Sequence, residues 1–189
     1  MSPQPALDTD SIIEQLNDFM VRYTPPSTFE LAKLDMDISR IGNVDIALSQ
    51  CFRGVYYALQ GDLVNTTKWF NMALSISPTN PDVYMNYSAS LCRLGQHDQA
   101  IKMALEAINK GGYTPQTLHN LILSAYNAED HALLEEWLPK YEELTGSSHA
   151  AVLWLQEDAE DEAEVARLRD EIRSGPCISL DQIRKELEL

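Results

Sequence analysis

Positive charge is scarce in this chain of 189 residues. Lys and Arg number 14 against 29 Asp and Glu, which gives a formal net charge of -15 at pH 7. A protein this acidic repels the phosphates of nucleic acids and of anionic membrane surfaces. We therefore expect neither nucleic acid nor membrane as a partner, and a basic partner would be attracted. Acidity that only keeps a helical surface soluble is the alternative.

Cysteines are also few, and no long apolar run occurs. Cys51, Cys92 and Cys177 are odd in number and far apart, which suits reduced thiols better than a disulfide framework. The N-terminal segment lacks both the basic start and the apolar stretch of a signal peptide, and no segment approaches the length of a membrane span. These features predict a soluble, cytoplasmic protein.

Motifs of catalysis and of cofactor or metal binding are missing as well. The sequence contains no nucleotide-binding glycine loop, no HExxH, no GxSxG and no closely spaced cysteine pair. The four histidines are scattered, and the acidic C-terminal run lacks the glycine turn and the ligand spacing of a calcium loop. We therefore predict that the protein is not an enzyme and holds no cofactor or metal ion.

What the chain does contain is an internal repeat, in which residues 47–80 align position by position with residues 81–114. The aligned pairs include Gly61 with Gly95, Phe70 with Ala104, Ala73 with Ala107 and Tyr57 with Leu91. Small residues align with small ones, and turn-forming residues align with turn-forming ones. Apolar residues make up 44% of the chain and charged ones 23%, as in ordinary globular proteins, so we expect the repeats to fold.

This pattern resembles the tetratricopeptide repeat (TPR), whose unit is a hairpin of two helices. The small, aromatic and proline positions of that repeat are matched in the first unit by Gly54, Tyr57, Phe70, Ala73 and Pro78, and in the second by Tyr84, Ser88, Ala100, Ala104 and Ala107. A degenerate third unit keeps Leu118, Leu121, Ala125 and Gly146 in register. The resemblance implies an all-α, short right-handed solenoid of about three hairpins, at residues 47–80, 81–114 and 115–148.

Helices are also predicted on both sides of the repeats. Residues 1–46 contain two helical patterns, the second with a possible capping box formed by Ser27 and Glu30, and we expect them to cap the solenoid. Pro139 falls inside the last repeat helix and should kink or restart it. Residues 149–189 are predicted to form an acidic helical extension that ends in a short amphipathic helix.

The resemblance implies a partner-binding concave face made mainly by the first helix of each unit. Carried over place by place, this face comprises Leu48, Cys51, Val55, Leu59, Met85, Asn86, Ala89, Arg93, His119, Asn120, Leu123 and Asn127. The cations of a TPR carboxylate clamp are nearly all missing, which argues against that subgroup. An apolar groove suits a helix or an extended peptide bound through asparagine, and the chain's own terminal helix is an alternative occupant.

The expected function is therefore that of an interaction module, an adaptor or chaperone-like protein that holds a protein or peptide in its groove. Bacterial secretion chaperones are one analogy. A second hypothesis comes from AEVARLRDEIRSGPCISLDQIRKELEL, which resembles the tails of antitoxins that neutralise basic ParE- or RelE-type toxins. Its predicted contact residues are Leu168, Ile172, Leu180, Ile183 and Leu187. Oligomeric state is not predicted.

Overall fold

A computed structural model describes residues 9–21 and 24–174, and the predicted all-helical fold is confirmed for this part of the chain, which contains no strand. Its helices are α1 (Thr9–Val21), α2 (Thr28–Ile41), α3 (Ile46–Leu59), α4 (Leu63–Ile76), α5 (Pro81–Arg93), α6 (His97–Asn109), α7 (Pro115–Asn127), α8 (His131–Thr145) and α9 (Ala151–Ser174). The chain divides into two compact units, Met1–His149 and Ala150–Leu189.

Several helices begin at caps that are visible in the sequence. At the start of α2, the Ser27 hydroxyl accepts a hydrogen bond from the Glu30 backbone N–H, and the Glu30 carboxylate accepts one from the Ser27 backbone N–H. This is the predicted capping box, which satisfies backbone donors that have no partner within the helix. Proline follows the cap residue in α5 and α7, where its missing N–H costs no helical hydrogen bond.

The turns inside the three helix pairs α3–α4, α5–α6 and α7–α8 share one backbone geometry. Gly61, Gly95 and Glu129 lie at equal intervals along the chain and have φ angles of 78°, 72° and 57°. After each of them, the next residue donates its N–H to a carbonyl in the preceding helix. These bonds are Asp62 to Tyr57, Gln96 to Leu91 and Asp130 to Ala125. Glycine adopts this left-handed conformation without steric cost, whereas Glu129 does not.

The helices of the first unit pack in sequence, and the first helices of the pairs also pack on one another. α3 contacts α5, and α5 contacts α7. Fully buried side chains of these pairs include Phe70, Leu91 and Leu118. Ser88 on α5 is buried too, and its hydroxyl donates to the Ala100 carbonyl of α6 at 2.8 Å. Because α3, α5 and α7 lie side by side, their remaining faces form one continuous surface.

Pro139 does not restart its helix, contrary to one of the two outcomes expected for it. α8 runs without interruption from His131 to Thr145 and ends at Gly146, whose φ of 70° is that of a left-handed C-cap. Proline removes one backbone hydrogen bond, but Leu134 and Trp137 in the preceding part of the helix are buried. Their packing holds the helix together where the hydrogen-bond ladder is weakened.

The second unit contains α9, which begins at Ala151 and ends at Ser174. Residues 156–169 of this helix are all exposed and carry most of its acidic side chains. Within the described residues, a helix combining the length and the apolar character needed to cross a membrane is absent.

Candidate functional site

The first unit contains a groove of about 870 Å³ formed by α1 and by the first helix of each pair. Its floor consists of apolar side chains of α3, α5 and α7, among them Leu48, Phe52, Met85, Ala89 and Leu123. Polar residues lie among them, so the groove is apolar with a few hydrogen-bonding groups. This composition is typical of a site that binds another protein or a small apolar ligand.

Most residues predicted for the concave face line this groove. They are Leu48, Val55, Met85, Asn86, Ala89, Arg93, His119, Asn120, Leu123 and Asn127. The other two, Cys51 and Leu59, lie in the core instead, with 2% and 7% of their surface exposed. The reason is that α3 packs against α1, α2, α4 and α5, so that less of its surface reaches the groove. Burial also raises the pKa of Cys51 to about 12, which keeps it a neutral thiol.

The groove includes residues that the repeat pattern does not indicate. They are Ile13, Leu16, Asn17 and Met20 of α1, Phe52 of α3, Asp82 and Cys92 of α5, His97 of α6 and Gln116 of α7. The contribution of α1 is the largest difference from the sequence interpretation, which treats residues 1–46 as an end cap. The helical spacing of these α1 residues is visible in the sequence, but the surface that they face is not.

α1 is held in place by core contacts along its length and by a hydrogen bond at its end. Ile12, Leu16 and Phe19 are buried in the main hydrophobic core, each with at most 5% of its surface exposed. Near the C-terminus of α1, the Arg93 guanidinium of α5 donates from Nη1 to the Met20 carbonyl at 3.0 Å. A cation near the last carbonyls of a helix also interacts favourably with the helix dipole. α1 is therefore a fixed wall of the groove.

The three asparagines of the groove floor are partly engaged within the protein. Asn86 donates from Nδ2 to the Asp82 carbonyl at 2.8 Å, and Asn127 donates to the Leu123 carbonyl at 2.7 Å. Asn120 donates to the Met85 carbonyl at 3.4 Å, which joins α7 to α5. Each side-chain amide has two N–H hydrogens, so each asparagine uses one of its two donors for a backbone carbonyl of the protein. Fewer asparagine N–H donors therefore remain to bind the backbone carbonyls of an extended peptide.

A histidine pair lies at the α7 end of the groove. His119 Nδ1 and His149 Nε2 are 2.7 Å apart, and Tyr141 packs edge-on against the His149 ring. Burial lowers the pKa of both histidines, that of His149 to about 4, and His119 lowers the His149 value further. Both rings are neutral near pH 7, and one donates to the other. The two residues are far apart in the chain, so the sequence alone does not suggest the pair.

The histidine pair does not belong to a larger cluster of potential metal ligands within the described residues. Nowhere in residues 9–21 and 24–174 do three or more His, Cys, Asp or Glu side chains lie together as metal ligands would. The histidine pair supplies two nitrogens, fewer than the three protein ligands of catalytic zinc sites and the four of structural ones. We therefore assign no metal ligands here.

The residues predicted for the alternative, tail-based site are only partly covered by the structure. Leu168 lies on α9, and 44% of its surface is exposed. Ile172 also lies within α9. Leu180, Ile183 and Leu187, together with the predicted short terminal helix, lie outside the described residues.

Comparison with known proteins gives a distant relative. No family model matches the chain. An uncharacterized protein of Haemophilus influenzae is 24% identical over 131 residues, which cover 68% of this chain and 73% of the relative. Because that relative has no assigned activity, it carries no function over to this chain.

Proposed function

We propose that the first unit is a TPR-type interaction module, a right-handed solenoid of three helical hairpins that holds a protein or peptide partner in its groove. The proposal is supported by the turns at Gly61, Gly95 and Glu129, which repeat one backbone geometry at equal intervals. It is also supported by the packing of α3, α5 and α7 side by side. Stacked hairpins of this kind create extended surfaces that bind other proteins.

The observation that carries the proposal is the apolar floor of the groove. Met85 and Leu123 are partly accessible to solvent, although Leu91 and Leu118 on the same two helices are fully buried. A partner that covers such side chains gains free energy from the apolar surface removed from water, about 25 cal/mol per Å². The scattered polar groups, such as Gln116, would orient the partner.

Site-specific photo-crosslinking tests this proposal. A photo-reactive phenylalanine analogue replaces Met85 or Leu123 in the groove, and in control variants it replaces Val64 or Met72 on α4. Both control residues are exposed and lie outside the groove. We expect one and the same protein to be crosslinked from both groove positions in the source cells, and not from α4. Equal crosslinking from all four positions would contradict the proposal.

The acidic α9 supports a second candidate, an antitoxin-like protein that binds a small basic partner through its C-terminal region. The observation in its favour is that residues 156–169 are exposed on this helix and strongly acidic. A chain that ends at Gly175 and a full chain with Ala89→Arg separate the two functions. If only the truncated chain fails to bind a basic partner, the C-terminal tail is the binding site. If only the Ala89→Arg chain fails to bind it, the groove is the binding site. Circular dichroism must show that both variants are folded.

A further inference from the structure

We propose that the partner bound in the groove is an amphipathic α-helix that lies along α1 and carries Lys or Arg on the flank facing α1. This inference rests on the proposed binding function and adds the conformation and the charge of the ligand. Three observations carry it: the helical wall of the groove, the asparagines of its floor that are hydrogen-bonded within the protein, and two carboxylates on its rim.

The wall of the groove is itself a helix with a row of residues turned toward the cavity. Ile13, Leu16 and Met20 of α1 line the groove at helical spacing, and Asn17 lies between them. The other side chains that line the groove come mainly from α3, α5 and α7, which are also helices. A ligand helix would pack its apolar ridge between those of α1 and α7, as neighbouring helices do in a bundle. The partner therefore needs apolar residues at intervals of three and four.

The floor of the groove offers little to the backbone of an extended peptide. An extended ligand has unpaired N–H and C=O groups, which need a sheet edge or side-chain amides. No strand is present in the described ranges 9–21 and 24–174, so these ranges offer no sheet edge. Asn86, Asn120 and Asn127 each already donate an amide hydrogen to a backbone carbonyl of the protein. A helix pairs its backbone groups internally and needs only apolar contact from the floor.

The rim of the groove on the α1 side is acidic. Asp10 and Glu14 are exposed and lie four positions apart, so they are neighbours on one side of the helix. Asn17, which lines the groove, follows Glu14 by three positions and Asp10 by seven, spacings that place them on the same side of α1. α1 contains no Lys or Arg between Thr9 and Val21. A ligand with cations on this flank would be attracted and oriented.

Selection from a phage library of random helix-length peptides on the full chain tests the inference. We expect the selected peptides to have apolar residues at intervals of three and four, Lys or Arg on one flank, and helical circular dichroism when bound. Affinity measured by fluorescence anisotropy should fall about fivefold when Asp10→Asn and Glu14→Gln are combined, and less so at high salt. The control is Glu135→Gln with Glu143→Gln, at exposed positions of α8 outside the groove, which removes the same charge and should leave the affinity unchanged.

The outcomes separate this inference from the function on which it rests. Selected peptides that are extended, proline-rich or acidic, or that lose no more affinity with the α1 variant than with the α8 control, overturn the helical basic ligand. If such peptides still lose binding with Ala89→Arg, the groove function stands. If no selected peptide depends on Ala89, or selection finds no binder, both proposals fall. Thermal unfolding of each variant excludes loss of the fold as the cause.

Discussion

Gly54 of α3 and Phe70 of α4 are in such close contact that no larger residue fits at position 54 without a shift. A Cβ atom placed on Gly54 would lie 2.5 Å from Cδ2 and from Cε2 of the Phe70 ring. Phe70 cannot move away easily, because it is fully buried and stacks on Tyr87 with 4.6 Å between ring centroids. The small and the aromatic position of the repeat therefore depend on each other.

Gly54→Ala should lower the free energy of unfolding by about 2 kcal/mol, because the clash with Phe70 outweighs the higher helix propensity of alanine. Urea unfolding followed by circular dichroism measures the change. In the double variant Gly54→Ala with Phe70→Leu, the clash is relieved, so the two substitutions together should cost less than the sum of their separate costs. An increase in stability with Gly54→Ala alone would show that α3 and α4 have room to separate.

Glu129→Gly should raise the free energy of unfolding by about 1 kcal/mol, because the left-handed conformation strains side chains other than glycine. Glu129 has a φ of 57°. The matched control is Gly95→Ala at the equivalent turn, where φ is 72° and the same strain should be introduced. Thermal unfolding of both variants gives the comparison. The prediction is wrong if both substitutions change the midpoint in the same direction.

Arg93→Met should loosen α1 without unfolding the remaining helices. The variant keeps the apolar part of the side chain but removes the donor to the Met20 carbonyl. Amide hydrogen exchange in residues 9–21 should become about tenfold faster, because a hydrogen bond from a charged group is lost. Lys102→Met, at an exposed position of α6, is the control. Equal exchange in the two variants would mean that the core contacts of α1 suffice to hold it.

The ring of His149, of whose surface only 3% is exposed, should make the protein less stable at acid pH. Its pKa in the folded state is about 4, below the value of about 6.5 expected in the unfolded chain. The unfolded chain therefore binds the proton first, and stability contributed by neutral His149 is present above pH 6.5 and is lost as the pH falls to 4. The loss is on the order of 3 kcal/mol at most, because one pKa unit corresponds to about 1.4 kcal/mol.

Urea unfolding at pH 7 and at pH 4.5 measures this loss. In His149→Gln the difference between the two pH values should shrink, because the titrating ring is gone. His131→Gln, at an exposed position, is the control and should behave like the parent chain. An unchanged pH dependence in His149→Gln would assign the acid sensitivity to carboxylates instead.

Local signals account for the part of the fold that could be predicted. Helix starts such as Ser27 with Glu30 depend on residues three positions apart, and the turns at Gly61 and Gly95 depend on a single residue. These interactions are short in range, so the sequence displays them directly. The third turn is harder to recognise because Glu129 replaces glycine there, although the backbone is the same.

By itself, then, the sequence determined that the part of the chain described by the structure is helical and that residues 47–80 and 81–114 form helix pairs in the same register. Only the tertiary structure decided that α1 forms a wall of the groove, that Cys51 is buried, and that His119 meets His149. The physical reason is that an apolar stripe in the sequence indicates that one face of a helix is buried. It does not indicate against which other helix that face packs. That choice depends on how all the helices pack together.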